Sequence, residues 1–268
     1  MLAAMANDGD FLHRAPPAFA GKRAFRLGLS ASYGLDEAGI REALDRGMNY
    51  VFWNPMAKKL TRVLREVART RREELILATG PTFGFLPGSL RKRVERALTV
   101  LGTDYLDVFQ LYWLGKMSAF TPAVVDELVR LKAEGKVRAL GCSIHDRPRA
   151  GRLAEDSPLD LLMIRYNAAH PGAEREIFPH LAARRPAVVA YTATSWTKLL
   201  RPPKGWKGKV PTAGDCYRFC LTSPHVDVVL SAPGTPERLR ENLLALERGP
   251  MSEEELAWMR ELGRVVHG

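Results

Sequence analysis

Eight short apolar segments, separated by turns and amphipathic stretches, are the feature that most limits what this chain can fold into. The candidate strands are 25–29, 49–53, 74–79, 105–111, 136–143, 159–166, 187–192 and 226–231. Their apolar runs are nearly continuous, which is typical of strands that are buried on both faces of a sheet. The periodicity between them predicts helices over 36–47, 59–70, 89–102, 123–135 and 235–247.

Strands that alternate with helices in this way indicate either a closed (β/α)8 barrel or an open doubly wound sheet. No Gly-x-Gly-x-x-Gly pattern follows the first strand, which argues against a dinucleotide-binding doubly wound domain. We therefore predict an α/β fold, a single-domain (β/α)8 TIM barrel over residues 25–268, preceded by an N-terminal arm over 1–24. An additional C-terminal helix is predicted at 252–266, where Ser252 and Glu255 have the spacing of a capping box.

Local signals mark helix ends and one unusual loop. Ser89 and Thr121 are predicted N-caps, because a hydroxyl can accept a hydrogen bond from a free backbone N–H in the first turn. The segment 193–211 breaks the alternation and is rich in Pro, Gly, Lys and Trp. It follows the seventh strand, so we expect it at the face of the barrel where active sites lie.

Charge and cysteine content narrow the class of protein. The 268 residues carry a formal net charge of +10, but acidic residues are interspersed among the basic ones. We find no nucleic-acid motif and no apolar run near the roughly 20 residues of a membrane helix, so neither partner is predicted. Three cysteines favour a reducing compartment, hence a cytoplasmic location. Cys216 and Cys220 share a helix face, and we interpret them as buried apolar residues rather than metal ligands.

Five segments, in order along the chain, resemble segments of the aldo-keto reductase family. They are LGTDYLDVFQL (101–111), GKVRALGCS (135–143), RYNAAHPGAEREIFPHL (165–181), AYTATSWTKLL (190–200) and APGTPERLREN (232–242). The resemblance extends over most of the chain, from about residue 25 to residue 265. It implies a barrel oxidoreductase that binds a nicotinamide cofactor, NADP(H), across the barrel mouth.

The same resemblance places the family's catalytic positions on residues that cannot fill their usual roles. In the family a Tyr protonates the substrate carbonyl, a Lys lowers the pKa of that Tyr, an Asp pairs with the Lys, and a His orients the carbonyl. A phenol with a pKa near 10 needs such a cation to exchange protons at neutral pH. These positions hold Phe52 for the Asp, Ala57 for the Tyr, Gly80 for the Lys and Tyr112 for the His. The sequence therefore predicts an atypical active site.

The cofactor positions that the resemblance implies are partly kept. Tyr191 lies where the family stacks an aromatic ring on the nicotinamide, and Ser143 matches the serine that binds its carboxamide. Arg238, Glu241 and Asn242 match the set that holds the adenosine end, where an arginine suits a 2′-phosphate. Without the resemblance, these three residues would equally fit an ordinary exposed helix face.

Other polar residues near strand ends could supply chemistry at the mouth. Tyr112 and His145 are candidates for proton transfer, because imidazole titrates near neutrality and a phenol can donate a proton. Lys58 is a third catalytic candidate, since a shifted register near the second strand would place its cation beside the position of Ala57. The wider set predicted at the mouth is Trp53, Asn54, Lys58, Tyr112, Trp113, His145, Asp146, Arg165, Asn167 and His170. Each of them could equally be a structural residue of the rim.

Three functions stay open at this point. The first is an atypical aldo-keto reductase-like oxidoreductase that binds NADP(H) and acts on a small-molecule substrate through different proton donors. The second is a non-catalytic NADP(H)-binding or regulatory barrel. The third is a nicotinamide-independent lyase or isomerase that uses His145, Tyr112 or Lys58. The fold alone cannot choose among them, because function resides in the site. We rank the three in the order given; the substrate and the oligomeric state are not predicted.

Overall fold

Eight parallel strands close into a barrel in the computed structural model, which describes residues 10–30, 34–81 and 83–267. The strands are β1 (Leu27–Ser30), β2 (Tyr50–Phe52), β3 (Ile76–Thr79), β4 (Leu106–Leu111), β5 (Val137–Ile144), β6 (Leu161–Arg165), β7 (Ala187–Tyr191) and β8 (Val228–Ser231). Each strand pairs with the next in sequence, and β8 closes the barrel by pairing with β1. The predicted (β/α)8 TIM barrel is confirmed.

Helices cover the outside of this barrel. They are α1 (Glu37–Asp45), α2 (Lys58–Arg71), α3 (Pro87–Leu101), α4 (Pro122–Ala133), α5 (Arg147–Glu155), α6 (Ala173–Glu176), α7 (Ala213–Thr222), α8 (Pro236–Leu246) and α9 (Glu253–His267). Short 3-10 turns lie at Pro17–Phe19, Arg72–Glu74, Phe178–Ala182 and Lys198–Leu200. The additional C-terminal helix is confirmed as α9. The periodicity did not predict α5 and α6, because α6 has only four residues and α5 is short and rich in arginine.

The structure confirms one of the two predicted helix N-caps. Thr121 caps α4 as predicted, because its side chain accepts a hydrogen bond from the backbone N–H of Val124. The prediction that Ser89 caps α3 was wrong. That helix begins at Pro87, whose fixed φ suits a first turn, and the Ser89 hydroxyl donates to the carbonyl of Leu86 at 2.8 Å.

Side chains along the strands alternate between two apolar cores. Tyr50, Ile76 and Val108 belong to a cluster inside the barrel, whereas their neighbours Val51 and Leu77 pack outward against the helices. Both faces of every strand are therefore buried, which explains the continuous apolar runs in the sequence. At the bottom of the interior, the fully buried Phe19 packs on Tyr50 with ring centroids 5.5 Å apart.

The N-terminal arm contributes that phenylalanine. Its strand His13–Arg14 pairs antiparallel with Ala24–Phe25, so that the intervening turn crosses the bottom of the barrel. Residues 1–9 of the predicted arm lie outside the described residues. The described part of the arm therefore closes the bottom of the barrel and also runs across it.

Polar side chains at the start of every second strand bind the backbone of the strand before it. Asn49 accepts from Phe25 N at 2.9 Å, Asp107 from Leu77 N at 2.9 Å, Asp160 from Leu140 N at 2.8 Å and Asp227 from Val188 N at 2.8 Å. Asp107 is also paired with Lys22 and Arg72, each at 2.8 Å. A buried carboxylate is stable only with such partners, so this end of the barrel serves stability.

Helix α9 folds back over the barrel. It begins with the predicted capping box, in which Glu255 N donates to Ser252 Oγ at 3.2 Å and Ser252 N donates to the Glu255 carboxylate at 3.0 Å. Near its end, a Cβ on Gly263 would overlap the carbonyl oxygen of Ala168, so the helix touches the backbone of the β6–α6 loop. Its Trp258 donates to the carbonyl of Lys209, which anchors the 193–211 loop.

The three cysteines are buried and free, and Cys216 and Cys220 lie on α7 as expected. Burial raises the pKa of the Cys142 thiol to about 12. Across residues 10–30, 34–81 and 83–267, no three potential ligands from His, Cys, Asp and Glu gather into a metal site. Within the same ranges, no helix has the length and apolar character needed to span a membrane.

Candidate active site at the barrel mouth

A cavity of about 600 Å³ opens at the C-terminal ends of the strands, where (β/α)8 barrels hold their active sites. Its lining includes Phe52, Tyr112, Trp113, Ser143, Tyr191 and Trp196. No charged side chain lines it in the part of the chain that the structure describes. A ligand here would meet mainly apolar and aromatic walls, with a few hydroxyl groups to orient it.

One side of the cavity is closed by aromatic rings where β2 and β4 end. The rings of Phe52 and Tyr112 lie 5.6 Å apart at an angle of 50°. Between these strands, β3 is followed by Gly80, which has no side chain. A Cβ at Gly80 would overlap the carbonyl oxygen of Gln110 and lie 2.7 Å from Tyr112 Cε1. The structure therefore has no room for any side chain at position 80.

The hydroxyl of Tyr112 is buried under this rim. It lies near Thr79 and the backbone of Gly80 but makes no hydrogen bond of good geometry within the described residues, and Tyr50 Oη and Gln110 Oε1 in the barrel interior also make none. Burial raises the pKa of Tyr112 well above that of a free phenol. A phenol that is hidden from solvent and has no partner is poorly placed to exchange protons with a ligand.

A second phenol, that of Tyr191, is coupled to an imidazole. Tyr191 Oη lies 3.0 Å from His145 Nε2, although the two residues come from β7 and from the residue after β5. Burial raises the pKa of Tyr191 to about 12. Burial lowers the pKa of His145, and the nearby cations Arg165 and Lys116 lower it further. Neutral His145 can thus accept a hydrogen bond from the Tyr191 O–H, while its own exposed side reaches solvent.

Ser143 lies beside this pair at the end of β5. Its hydroxyl oxygen accepts a hydrogen bond from Trp113 N at 2.8 Å, which ties the end of β4 to β5. Trp113 itself has a left-handed backbone, with φ of 42°. A non-glycine residue in this region is strained by about 1 kcal/mol, and such strain is concentrated at functional sites. The Ser143 O–H is still able to donate into the cavity.

Helix α8 presents an arginine without an ion-pair partner in the described ranges. Arg238 is exposed, and its backbone N–H is capped by the Thr235 side chain. Two residues later, Arg240 is held by both carboxylate oxygens of Glu42 at 2.7 Å. Of the other residues predicted at the adenosine end, Glu241 is exposed and Asn242 is buried.

Comparisons with known proteins decide the family. A model described as the aldo/keto reductase family matches residues 32–201. The chain belongs to the aldo/keto reductase family. The NADH-specific methylglyoxal reductase of Escherichia coli K12 is 26% identical over 215 residues, which are 67% of this chain and 66% of that protein, just under two thirds. The uncharacterized oxidoreductase YqkF of Bacillus subtilis 168 is 23% identical over 258 residues, covering 81% of this chain and 84% of that one.

Solved structures agree on the fold of this family member. The holo form of the aldo-keto reductase AKR11C1 from Bacillus halodurans superposes with a TM-score of 0.78 at 21% identity, covering 93% of this chain and 95% of that chain. A putative 2,5-diketo-D-gluconic acid reductase B superposes with a TM-score of 0.73 at 22% identity, covering 94% and 92%. At this level of identity the likeness extends to the fold alone.

The structure separates the candidate residues of this aldo/keto reductase family member into two groups. Tyr112, Ser143 and Tyr191 line the mouth cavity, and His145 contacts Tyr191. Lys58 does not join them, because it is an exposed residue in the first turn of α2. Arg238, Glu241 and Asn242 share α8, as their spacing requires.

Several residues predicted at the mouth lie elsewhere. Trp53 is buried outside the barrel, where its indole N–H donates to Thr61 Oγ1 at 2.9 Å. Asp146 caps α5 by accepting from Arg149 N. His170 lines a different cavity, described below. The prediction for Trp53 was therefore wrong, since the strand alternation turns its side chain away from the barrel interior, whereas Asp146 and His170 are not among the residues that line the mouth cavity.

The sequence placed the 193–211 loop at the mouth, and Trp196 of that loop lines the cavity, but it singled out neither Met117 nor Thr192. Met117 in the β4–α4 loop lines the cavity, as do Thr192 and Trp196 in the loop after β7. The last two have left-handed backbones, with φ of 54° and 52°. Left-handed φ at a threonine or tryptophan has no signal in a single sequence, so only coordinates could reveal it.

Proposed function

We propose that this protein is an NADP(H)-dependent oxidoreductase that acts on a carbonyl group without the catalytic tetrad typical of its family. The observation that carries the proposal is the Tyr191–His145 hydrogen bond at the edge of the mouth cavity, in a chain of this family. Relatives named as reductases or oxidoreductases support the same reaction class.

The residues present fit the nicotinamide cofactor in part. Tyr191 and Ser143 line the cavity, and Arg238 offers on α8 a guanidinium that has no ion-pair partner among the described residues. The positions that hold the carboxamide in the family contain Ile144, which is buried, and Met163, whose Sδ accepts from Gln110. We infer that the adenosine side supplies most of the affinity. The cofactor, when bound, supplies the hydride.

Proton transfer falls to the Tyr191–His145 pair in this proposal. As the carbonyl becomes an alkoxide, Tyr191 donates its proton to that oxygen, and His145 returns a proton from solvent to the phenolate. The buried hydroxyl of Tyr112 and the distant Lys58 are less suited to this step. A positioned proton donor of this kind contributes about 10²–10⁴-fold to rate.

Cofactor binding is tested by titrating the protein with NADPH and with NADH while following nicotinamide fluorescence. Both are needed, because the Escherichia coli relative is named as NADH-specific. We expect Arg238→Ala to weaken NADPH binding by at least about tenfold, the value of one charge-assisted hydrogen bond. Arg240→Ala is the matched control, since this exposed arginine is already paired with Glu42. Equal affinities in the two variants would contradict the assignment of Arg238.

The proton donor is tested by NADPH oxidation against a panel of aldehydes and ketones. Tyr191→Phe and His145→Gln should each lower kcat by about 10²-fold or more with a smaller change in KM. His180→Gln is the matched control, because His180 is paired with Glu155 on the outside of the barrel. If Tyr112→Phe abolishes turnover while His145→Gln does not, then Tyr112 is the donor and the proposal is wrong.

The pH profile adds a check on the same pair. The pKa of His145 lies below the usual 6.5, mainly because of burial. Protonated His145 can return a proton to Tyr191, so kcat/KM for reduction should rise as the pH falls, with a midpoint below 6.5. His145→Gln should remove this rise.

A second candidate, a non-catalytic NADP(H)-binding barrel, is favoured by one observation. No charged side chain lines the mouth cavity in the described ranges, and burial raises the pKa of Tyr191 more than the nearby Arg165 lowers it. Saturable NADPH binding without turnover of any carbonyl in the panel would support this candidate over the oxidoreductase. Turnover of an added compound that persists without any nicotinamide would instead indicate the lyase or isomerase alternative.

A further inference from the structure

A second cavity, of about 390 Å³, lies between α5, the β6–α6 loop and α9, and we name it the basic cleft. Its side chains that can carry charge are Arg147, His170, Arg175, Arg260, Arg264 and His267. It shares no lining residue with the mouth cavity. No carboxylate lines it within residues 10–30, 34–81 and 83–267.

Carboxylates that do not line the cleft hold two of its four arginines in place. Arg260 donates to both carboxylate oxygens of Glu174, at 2.9 and 3.0 Å. Arg147 contacts Glu176 at 3.3 Å and lies against the backbone of Gly172, where a Cβ would be 2.6 Å from its Cζ. These contacts fix both guanidinium groups before any ligand arrives, which lowers the entropic cost of binding.

The other two arginines have no ion-pair partner in the described part of the chain. Arg175 on α6 and Arg264 on α9 are exposed, and both line the cleft. Four guanidinium groups and the two carboxylates behind them leave a net charge of about +2 when both histidines are neutral. A dianion would balance this charge.

The pKa of His170 is sensitive to the positive charges near the cleft. Its Nδ1 lies 3.1 Å from Asn167 Oδ1, an atom that can only accept, so Nδ1 carries the hydrogen and Nε2 is an open acceptor. The ring of His267 lies edge-on at 4.9 Å. Burial, followed by the cationic groups Arg165, His267, Arg147 and Lys198, lowers the pKa of His170 to about 4.

We propose that the basic cleft is a binding site for a small ligand that carries a phosphate group. A phosphomonoester has a charge of about −1.5 to −2 at neutral pH, which matches the net charge of the cleft. Guanidinium groups bind phosphate oxygens in pairs, and Arg175 and Arg264 have free N–H groups to do so. Bound phosphate would also favour the protonated form of His170, which then donates from Nε2.

The test uses the full chain, with inorganic phosphate and glycerol 2-phosphate as probes at constant ionic strength. Histidine ring signals are followed by NMR through a pH titration with and without each probe. We expect saturable shifts of the His170 signals and a higher pKa of His170 when phosphate is present. His180, which lies outside the cleft, is the internal reference and should not respond.

Two double variants then distinguish a specific binding site from general attraction of anions to a basic surface. Arg175→Gln with Arg264→Gln should weaken phosphate binding by at least about tenfold. Arg93→Gln with Arg96→Gln removes the same charge from exposed positions on α3 and should change the affinity less than about twofold. Absence of a saturable His170 response, full retention of binding by the first pair, or equal weakening in both pairs would each overturn the proposal.

Discussion

Replacing Gly80 with alanine should destabilise the protein, although alanine is usually the easier of the two residues to order. A Cβ at this position would overlap the carbonyl oxygen of Gln110 and come within 2.7 Å of Tyr112 Cε1. The carbonyl belongs to β4 and cannot rotate away without breaking strand pairing. Accommodation therefore requires β3 and β4 to separate at Gln110 and the ring of Tyr112 to move as well.

The expected loss follows from two opposing terms. Less entropy in the unfolded chain favours alanine by about 0.4–1 kcal/mol, whereas overpacking costs about 1–3 kcal/mol and more where the neighbour is backbone. We expect a net loss of about 2 kcal/mol in the free energy of unfolding, which corresponds to a Tm lower by roughly 4–8 °C. Urea and thermal unfolding followed by circular dichroism measure both.

Gly88→Ala is the matched control for this experiment. A Cβ at Gly88, in the first turn of α3, would meet nothing within 4 Å. That variant should be as stable as the wild type or up to about 1 kcal/mol more stable. If Gly80→Ala and Gly88→Ala unfold at the same temperature, the close approach of β3 to Tyr112 is wrong, and a side chain can be placed at the end of β3.

Two further predictions concern charge. Asp107→Ala should lower the free energy of unfolding by about 3–5 kcal/mol, because it removes the buried carboxylate that pairs with Lys22 and Arg72 and leaves Lys22, among the described residues, only a 3.8 Å ion pair with the exposed Glu73. Asp45→Ala, which breaks an exposed pair with Arg71, should cost at most about 1 kcal/mol. Equal losses in urea unfolding would refute the role of Asp107. In phosphate-free buffer, unfolded His170 takes up a proton near pH 6.5 but folded His170 only near 4, so stability should fall as the pH falls between these values. His170→Gln should make that fall shallower, and an unchanged pH dependence would contradict the lowered pKa.

The barrel could be predicted because its determinants are local. Each strand is a short apolar run that is buried on two faces, and this pattern survives in a single sequence without knowledge of partners. The C-terminal helix could be predicted from Ser252 and Glu255, because their spacing is that of a capping box. Helix α5 was missed because Arg147, Arg149 and Arg152 leave little apolar periodicity in nine residues.

The site could be predicted only in part, because it depends on side-chain direction. Phe52 faces the cavity while the adjacent Trp53 faces the helices, and a sequence pattern with apolar residues on both faces cannot tell which is which. The contact between Tyr191 and His145 joins residues 46 positions apart. The basic cleft combines three separate segments, so its charge is invisible along the chain.

Three of the positions that the family resemblance assigns to catalytic residues, Phe52, Gly80 and Tyr112, pack against one another here. Gly80 leaves a space at the end of β3, the ring of Tyr112 occupies that space, and Phe52 packs on the same ring. Residues in direct contact do not change independently, because each substitution alters the volume available to the next. A lysine at position 80 alone would collide with Tyr112, and a smaller residue at 112 alone would leave the Gln110 carbonyl in the way. The family's usual chemistry can therefore not be restored by one substitution at these positions, and the proton donor that we propose, Tyr191 with His145, is formed by other residues of the site.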